Sequence, residues 1–364
     1  MNTALVNGTI FTGTTVEKGK AILVTDNKVV DIVSLSAIPS QYHIKDLNGL
    51  NIAPAFIDLQ IYGGNGKLFS HDISVASLQA TYEYCLQGGC TRFMITMATN
   101  TIEKFLRGFE VVKEYWQQGG RGLIGLHLEG PYINPAKRGA HLADCIKQPS
   151  TQEVSMLLQK GQGAFRMMTL APEQCDEAVI DQLLQHNIIL STGHSNATYQ
   201  QTMQAFDKGI PAATHLFNAM SPLQHRAPGV VGAAFNHHKA MSSIVCDGIH
   251  VDFAAVHIAR TIMQQRLFFI TDAVTSSAGE YPHILKDDHY ILPDGTLSGS
   301  ALTMMQCVKN GVEHAGIELA EALRMASAYP AQLLQDPTLG KIAAGTAAEF
   351  VVFNDSLTIE EVIC

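Results

Sequence analysis

The stretch from Ile188 to Met220, IILSTGHSNATYQQTMQAFDKGIPAATHLFNAM, restricts the fold more than any other part of the chain. An apolar run, Ile188-Ile189-Leu190, stops at Ser191-Thr192-Gly193-His194. A polar, helix-compatible segment follows from Asn196 to Lys208 and ends at Gly209. A second short run then stops at Thr214-His215, with Asn218 just beyond. Strand, helix, strand in that order makes one parallel crossover unit with a histidine at the carboxyl end of each strand. In a parallel barrel those two ends lie side by side on one face, so both imidazoles can reach a single metal ion. Two histidines alone are weak grounds for a metal. The pair gains weight because other strand ends along the chain also carry polar groups.

The same alternation runs through the middle of the sequence. Apolar strand candidates fall at 55–61, 92–99, 123–129, 165–171, 187–193, 212–216, 242–247 and 267–271. Stretches with helical spacing lie between them at 74–87, 101–117, 150–160, 175–186, 196–208 and 252–266. Eight strands with intervening helices predict an α/β fold of the (β/α)8 TIM-barrel type over residues 53–343. An open doubly wound sheet is the competing architecture. Gly63-Gly64-Asn65-Gly66 is the nearest thing to the phosphate loop it needs, and it lacks the G-x-G-x-x-G order. The two ends of the chain read instead as short strands and turns, which predicts a small β-sandwich domain built from residues 1–52 and 344–364. Ser276 to Ser300, with a turn at Pro293-Asp294-Gly295, reads as an inserted hairpin, either a lid over the site or an ordinary surface feature.

Composition narrows the function. Only 16% of the 364 residues are charged and 46% are hydrophobic, which favours a compact enzyme-like chain over disorder. A net charge of −9 argues against a non-specific nucleic-acid surface. The seven cysteines are scattered with no Cys-x-x-Cys, as expected of reduced thiols in a cytoplasm. No leader-like segment opens the sequence and no apolar run approaches the ~18 residues that span a bilayer, so a soluble cytoplasmic protein is expected.

The polar residues at the strand ends are, in order, Asp58 and Gln60, Asn100, Glu129, Glu173, His194, His215, Asp247 with His250, and Asp272. This edge is where barrel enzymes place their chemistry. Gathering unpaired charges there costs several kcal/mol apiece, by order of magnitude, and a cation removes much of that cost. Glu129, His194 and His215 form a two-His, one-Glu set that suits catalytic zinc and leaves a position for water. Zinc brings the pKa of such a water from ~16 towards ~7. Asp272 is then placed to take a proton from it and return that proton to a leaving group; alone it reads more readily as a turn or cap residue, and the three ligands turn the balance to catalysis. His127, two residues before Glu129, reads as a packed neighbour of the site.

Five segments in order, His127-Leu128-Glu129-Gly130-Pro131, Gly193-His194-Ser195-Asn196-Ala197-Thr198, Thr214 to Met220, Asp247-Gly248-Ile249-His250 and Thr271-Asp272-Ala273, resemble those of the N-acetylglucosamine-6-phosphate deacetylases of the amidohydrolase superfamily. The resemblance covers nearly the whole chain. It implies hydrolysis of the acetamide of N-acetylglucosamine 6-phosphate by Asp-assisted attack of water. Glu129, His194 and His215 would hold the metal, Asp272 would act as general base and then acid, and His141 would stand near the amide carbonyl. Gln60, Asn218, Ala219, Arg226 and His250 would meet the sugar phosphate, with Arg226 reaching in from the neighbouring subunit of a homodimer. Zinc is the expected ion, with iron, cobalt or nickel as alternatives. The first strand supplies Gln60-Ile61-Tyr62 where many amidohydrolases have a His-x-His pair, so one divalent ion per subunit is expected rather than two. Tyr62 reads as a sugar-covering or rim aromatic. The family pattern also implies a further strand in the small domain beyond Cys364, leaving that domain's closure in question. The galactosamine epimer as substrate and a non-catalytic sugar-phosphate sensor are the alternatives the residues leave open.

Overall fold

The structure is a computed structural model and describes residues 2–364. Eight parallel strands follow one another around a single sheet: Phe56–Ile61, Cys90–Ala98, Leu123–Glu129, Phe165–Leu170, Ile189–Thr192, Ala212–Ala213, Met241–Ile244 and Leu267–Phe269. The first and last edges meet where Asp272 N–H donates to the Gln60 carbonyl at 2.9 Å and Ile61 bridges Ala273 in parallel. The sheet is thus a (β/α)8 barrel, and the open doubly wound alternative is excluded. The sixth and seventh strands are shorter than the 212–216 and 242–247 expected from their apolar runs. In the sixth, His215 and Phe217 take positive φ of 37° and 79°, which carries the chain out of the ladder.

The helices Val75–Gln87, Ile102–Gln117, Thr151–Lys160, Glu177–Gln185, Tyr199–Lys208 and Phe253–Met263 occupy the stretches with helical spacing. In Ile102–Gln117 the i, i+3, i+4 pattern buries Phe105, Phe109, Val112 and Tyr115 on one face, while Arg107 pairs with Glu110 and Glu114 outside. Each such burial contributes roughly 1.5–3 kcal/mol, and Phe109→Ala, leaving a void, costs about 3–5 kcal/mol in denaturant unfolding. Among the described residues four α-helices, Met304–Glu313, Leu319–Ala326, Ala328–Leu334 and Gly229–Asn236, fall outside those stretches, the last with no period to read. It is buried nearly all round, so its residues GVVGAAFN carry no polar face to set a period.

Both ends of the chain contribute to two further sheets. A four-stranded sheet has the order Lys28–Ser34, Lys20–Thr25, Asn2–Val6, His43–Asp46. A five-stranded sheet has the order Ile359–Ile363, Phe350–Phe353, Asn51–Pro54, Thr9–Phe11, Val16–Glu17. Leu5, Ile22, Ile52, Phe350 and Val352 share one apolar cluster between them. Ile359–Ile363 runs antiparallel along Phe350–Phe353 and forms one edge of the five-stranded sheet. The 276–300 insertion forms a three-stranded antiparallel sheet, Ile284–Lys286, His289–Ile291 and Leu297–Ser300, joined to the barrel where Ser300 bridges Ala273. Among the described residues no helix is long and apolar enough to cross a membrane.

Candidate metal centre and active site

Glu129 is the last residue of the third barrel strand, and His194, His215 and Asp272 lie just beyond the fifth, sixth and eighth. All three of the latter are left-handed, with φ of 48°, 37° and 54°. Side chains other than glycine rarely adopt that region, and holding them there costs energy that the surroundings must supply. The turn it produces aims each side chain into the barrel mouth. Gly130, directly after Glu129, has φ of 88°, and a Cβ there would lie 2.1 Å from Thr99 Oγ1.

The three side chains converge. His215 Nε2 lies 2.9 Å from Glu129 Oε1, His194 Nε2 lies 3.3 Å from the same oxygen, and the two imidazole nitrogens are 3.2 Å apart. Ligand atoms on a tetrahedral ion with bonds of ~2.0–2.2 Å sit ~3.3–3.6 Å from one another. The observed triangle is close to that, so the donor set fits one small divalent cation. His141 also converges with Glu129 and His194, its Nε2 3.2 Å from Glu129 Oε2.

Hydrogen bonding separates the roles of the two histidines that share this space. His194 Nδ1 faces the Lys137 carbonyl at 2.8 Å, which can only accept. Its hydrogen therefore sits on Nδ1 and the Nε2 lone pair is free, as a ligand requires. Burial pushes the His194 imidazole down to about 4, so the ring is neutral near pH 7. His141 Nδ1 lies 2.7 Å from Thr99 Oγ1, which can donate or accept, and 3.3 Å from the Thr99 backbone N–H, which can only donate; with Nδ1 accepting from both, the hydrogen sits on Nε2. His141 thus presents a donor and His194 a lone pair. His215 Nε2 faces Glu129 while its Nδ1 is buried without a partner.

Gln60 ties the carboxylates together. Its Nε2 donates to Asp272 Oδ1 at 2.8 Å and to Glu129 Oε1 at 3.1 Å, and the Tyr62 hydroxyl donates to Glu129 Oε2. Tyr62 is therefore a partner of Glu129 as well as an aromatic at the rim. Burial pushes the Glu129 carboxyl up, but His141 and then His194 and His215 outweigh it and hold the group well below the usual carboxylate range. Burial also pushes Asp272 up; the pull of His215 and His250 opposes this and the nearby Glu129 charge adds to it, with a net rise. A carboxyl raised in this way is a better proton acceptor.

These groups line a cavity of about 160 Å³ that also includes Asn218, Ala219, His250 and Ser298. Asn218 Nδ2 is buried there with no partner. His250 Nδ1 meets Asp247 Oδ2 at 2.5 Å, fixing the ring. Leu297-Ser298-Gly299 of the inserted sheet form part of the wall, so the insertion does border the site. Arg226 is exposed and does not line this cavity. His127 is packed below, with Nε2 2.8 Å from Thr169 Oγ1 and Nδ1 3.2 Å from the Leu59 carbonyl, and it faces none of the convergent atoms.

Comparison with known proteins identifies the family. Residues 51–364 match the amidohydrolase family and residues 3–52 match the NagA composite domain. The chain is 32% identical to an N-acetylglucosamine-6-phosphate deacetylase of Haemophilus influenzae, over 99% of this chain and 97% of that one. It is also 32% identical to an N-acetylgalactosamine-6-phosphate deacetylase of a Shewanella species, over 86% and 81%. The crystal structure of N-acetylglucosamine-6-phosphate deacetylase from Pasteurella multocida superposes with a TM-score of 0.96 at 34% identity, covering 100% of this chain and 98% of that chain. Barrel, converging ligands and full-length likeness lead to one conclusion: the chain belongs to the amidohydrolase family.

Proposed function

We propose that this amide hydrolase removes the acetyl group of N-acetylglucosamine 6-phosphate, giving glucosamine 6-phosphate and acetate. One observation carries the reading: Glu129, His194 and His215 meet within 3.3 Å of one another beside an Asp272 that Gln60 holds, in a chain whose full-length relatives are named for this deacetylation. A divalent cation bound by those three residues supplies Lewis-acid polarisation and a water of lowered pKa, zinc suiting the donor set best and iron, cobalt or nickel being alternatives. We assign one ion per subunit, because Gln60 and Tyr62 offer no imidazole and the Gln60 amide nitrogen already donates to both carboxylates.

The chain's own residues carry out the proton transfers. His141 donates through Nε2–H to the amide oxygen as negative charge gathers there. Asp272, with Oδ1 held by Gln60, uses its other oxygen to take a proton from the attacking water. It then delivers that proton to the amide nitrogen as the C–N bond breaks, since an unprotonated amine is far too basic to leave. Asn218, Ala219 and a His250 braced by Asp247 receive the sugar phosphate. Arg226 reaches the phosphate in the neighbouring subunit of a homodimer, where its planar fork suits a dianion. All seven cysteines are free, which supports a reducing cytoplasmic setting.

The test is release of free amine and acetate from N-acetylglucosamine 6-phosphate, with metal content measured before and after chelation. No amine release from metal-loaded protein would sink the reading. The Shewanella relative favours a second reading, the galactosamine epimer. The ratio of kcat/KM for the two sugar phosphates decides between them.

A further inference from the structure

Glu173 lies in the Pro172–Gln174 turn after the fourth barrel strand and takes no part in the steps above. Its carboxylate is nevertheless committed to the two loops that carry His141 and His194. Oε1 accepts from Asn134 Nδ2 at 2.9 Å and from the Asn196 backbone N–H at 2.7 Å, while Oε2 accepts from Ser195 Oγ at 2.7 Å. Ser195 and Asn196 directly follow His194. On the other side, Asn134 N–H donates to the His194 carbonyl at 2.9 Å. Asn134 Oδ1 caps the Pro135–Lys137 turn by accepting from Ala136 N–H at 2.9 Å, and the Lys137 carbonyl receives His194 Nδ1–H at 2.8 Å. Both the backbone and the ring of His194 are therefore tied, by short routes, to one carboxylate.

His194 needs such support. Its φ of 48° is a conformation that persists only where neighbours over-determine it. Three charge-assisted hydrogen bonds to a single anion are a strong way to do that. Groups behind a metal ligand that fix its ring also fix the direction of its lone pair.

The geometry points to Glu173 as a positioning residue of the metal centre: it clamps the 134–137 and 194–196 loops together, aims His194 Nε2, and sets how tightly the site holds its cation. The inference rests on Glu129, His194 and His215 being the ligands. It is tested by stripping the full-length protein of metal and titrating Zn²⁺ against a chromogenic chelator, for wild type, Glu173→Ala and Glu173→Gln. Calorimetry of each metal-free protein runs alongside. Glu173→Ala weakens Zn²⁺ binding by ~10–100-fold, the usual effect of losing an outer partner of a ligand. Glu173→Gln recovers most of it, because its oxygen still accepts the Asn134 and Asn196 donors and its NH₂ can face the Ser195 hydroxyl. A Glu173→Ala protein that melts lower yet binds Zn²⁺ as tightly as wild type overturns the proposal, since the carboxylate then serves the loops alone. Should Glu173→Ala fail to fold, Ser195→Ala and Asn134→Ala each remove one arm of the clamp and each weaken Zn²⁺ binding several-fold; unchanged affinity in both overturns the proposal equally. Wild type that binds no Zn²⁺ overturns the ligand assignment itself, a result distinguishable from failure of the clamp.

Discussion

Two buried carboxylates in this fold are treated in opposite ways. Glu321, 4% exposed, faces Arg260 Nη2 at 2.7 Å and Arg324 Nη2 at 2.6 Å, with the Tyr329 hydroxyl at 2.9 Å. Glu129, 1% exposed, faces three imidazoles, a phenol and an amide. Guanidinium carries its charge at every accessible pH, so Glu321 is compensated permanently. An imidazole can give up its proton near pH ~6.5, so the positive charge that faces Glu129 is removable where the charge facing Glu321 is not. The first is a finished ion-pair cluster. The second has room for a cation. Glu321 also lines a cavity of about 860 Å³, far larger than the one around Glu129, so cavity size does not locate the chemistry here.

The contrast can be broken most directly at Glu129. Glu129→Gln keeps the shape but loses the anionic ligand, and it should abolish stoichiometric metal and lower turnover beyond the ~100-fold that outer-partner losses reach. Full metal content by elemental analysis would remove the distinction drawn between the two carboxylates. Asp272→Asn sharpens it: turnover should fall at least ~100-fold with the metal retained, because only the proton carrier is lost. Near-native kcat in that variant would exclude Asp272 as the base.

Glu321→Ala tests the other side. Leaving two guanidiniums without their partner should cost about 3 kcal/mol in denaturant unfolding, the low end for a broken buried pair because both arginines are about a quarter exposed. Zn²⁺ affinity should not change, and a parallel loss of affinity would show the two clusters to be coupled. The smallest effect concerns His283, which burial pushes down to about 4 and which donates or accepts at Ser298 Oγ, 2.9 Å away, beside the cavity wall. In the unfolded chain a histidine titrates near ~6.5. Its contribution is present above that pH and is lost as pH falls from there towards 4, because only the unfolded chain takes up the proton. His283→Gln should therefore flatten the acid side of the stability–pH curve between those limits, measured by denaturant midpoints. An unaltered curve would show that another group controls it.

The sequence makes the barrel legible because a buried parallel strand leaves an unbroken apolar run and the outer helices leave a period. Gly229–Asn236 shows the limit of that period, since a helix enclosed on nearly all sides has no polar face to mark it. At the site, Glu129, His194, His215 and Asp272 stand out as strand-end residues, yet their backbone does not. Nothing in Gly193-His194-Ser195 announces a left-handed histidine, because that conformation is imposed from Asn134, Lys137 and Glu173, far away in the chain. Glu173 could be placed on the rim but not given a purpose, since its partners come from two other loops. Tyr62 likewise reads as an aromatic at the rim, and only the fold brings its hydroxyl to Glu129.

The sheet that joins both chain ends has a consequence for how the protein is made. Phe350–Phe353 lies between Asn51–Pro54 and Ile359–Ile363, so Asn51–Pro54 leaves the ribosome well before this neighbour and gains it only after the barrel has been synthesised. During that interval Asn51–Pro54 exposes a bare edge, and the order of translation becomes a window for mispairing that closes when Phe350–Phe353 arrives.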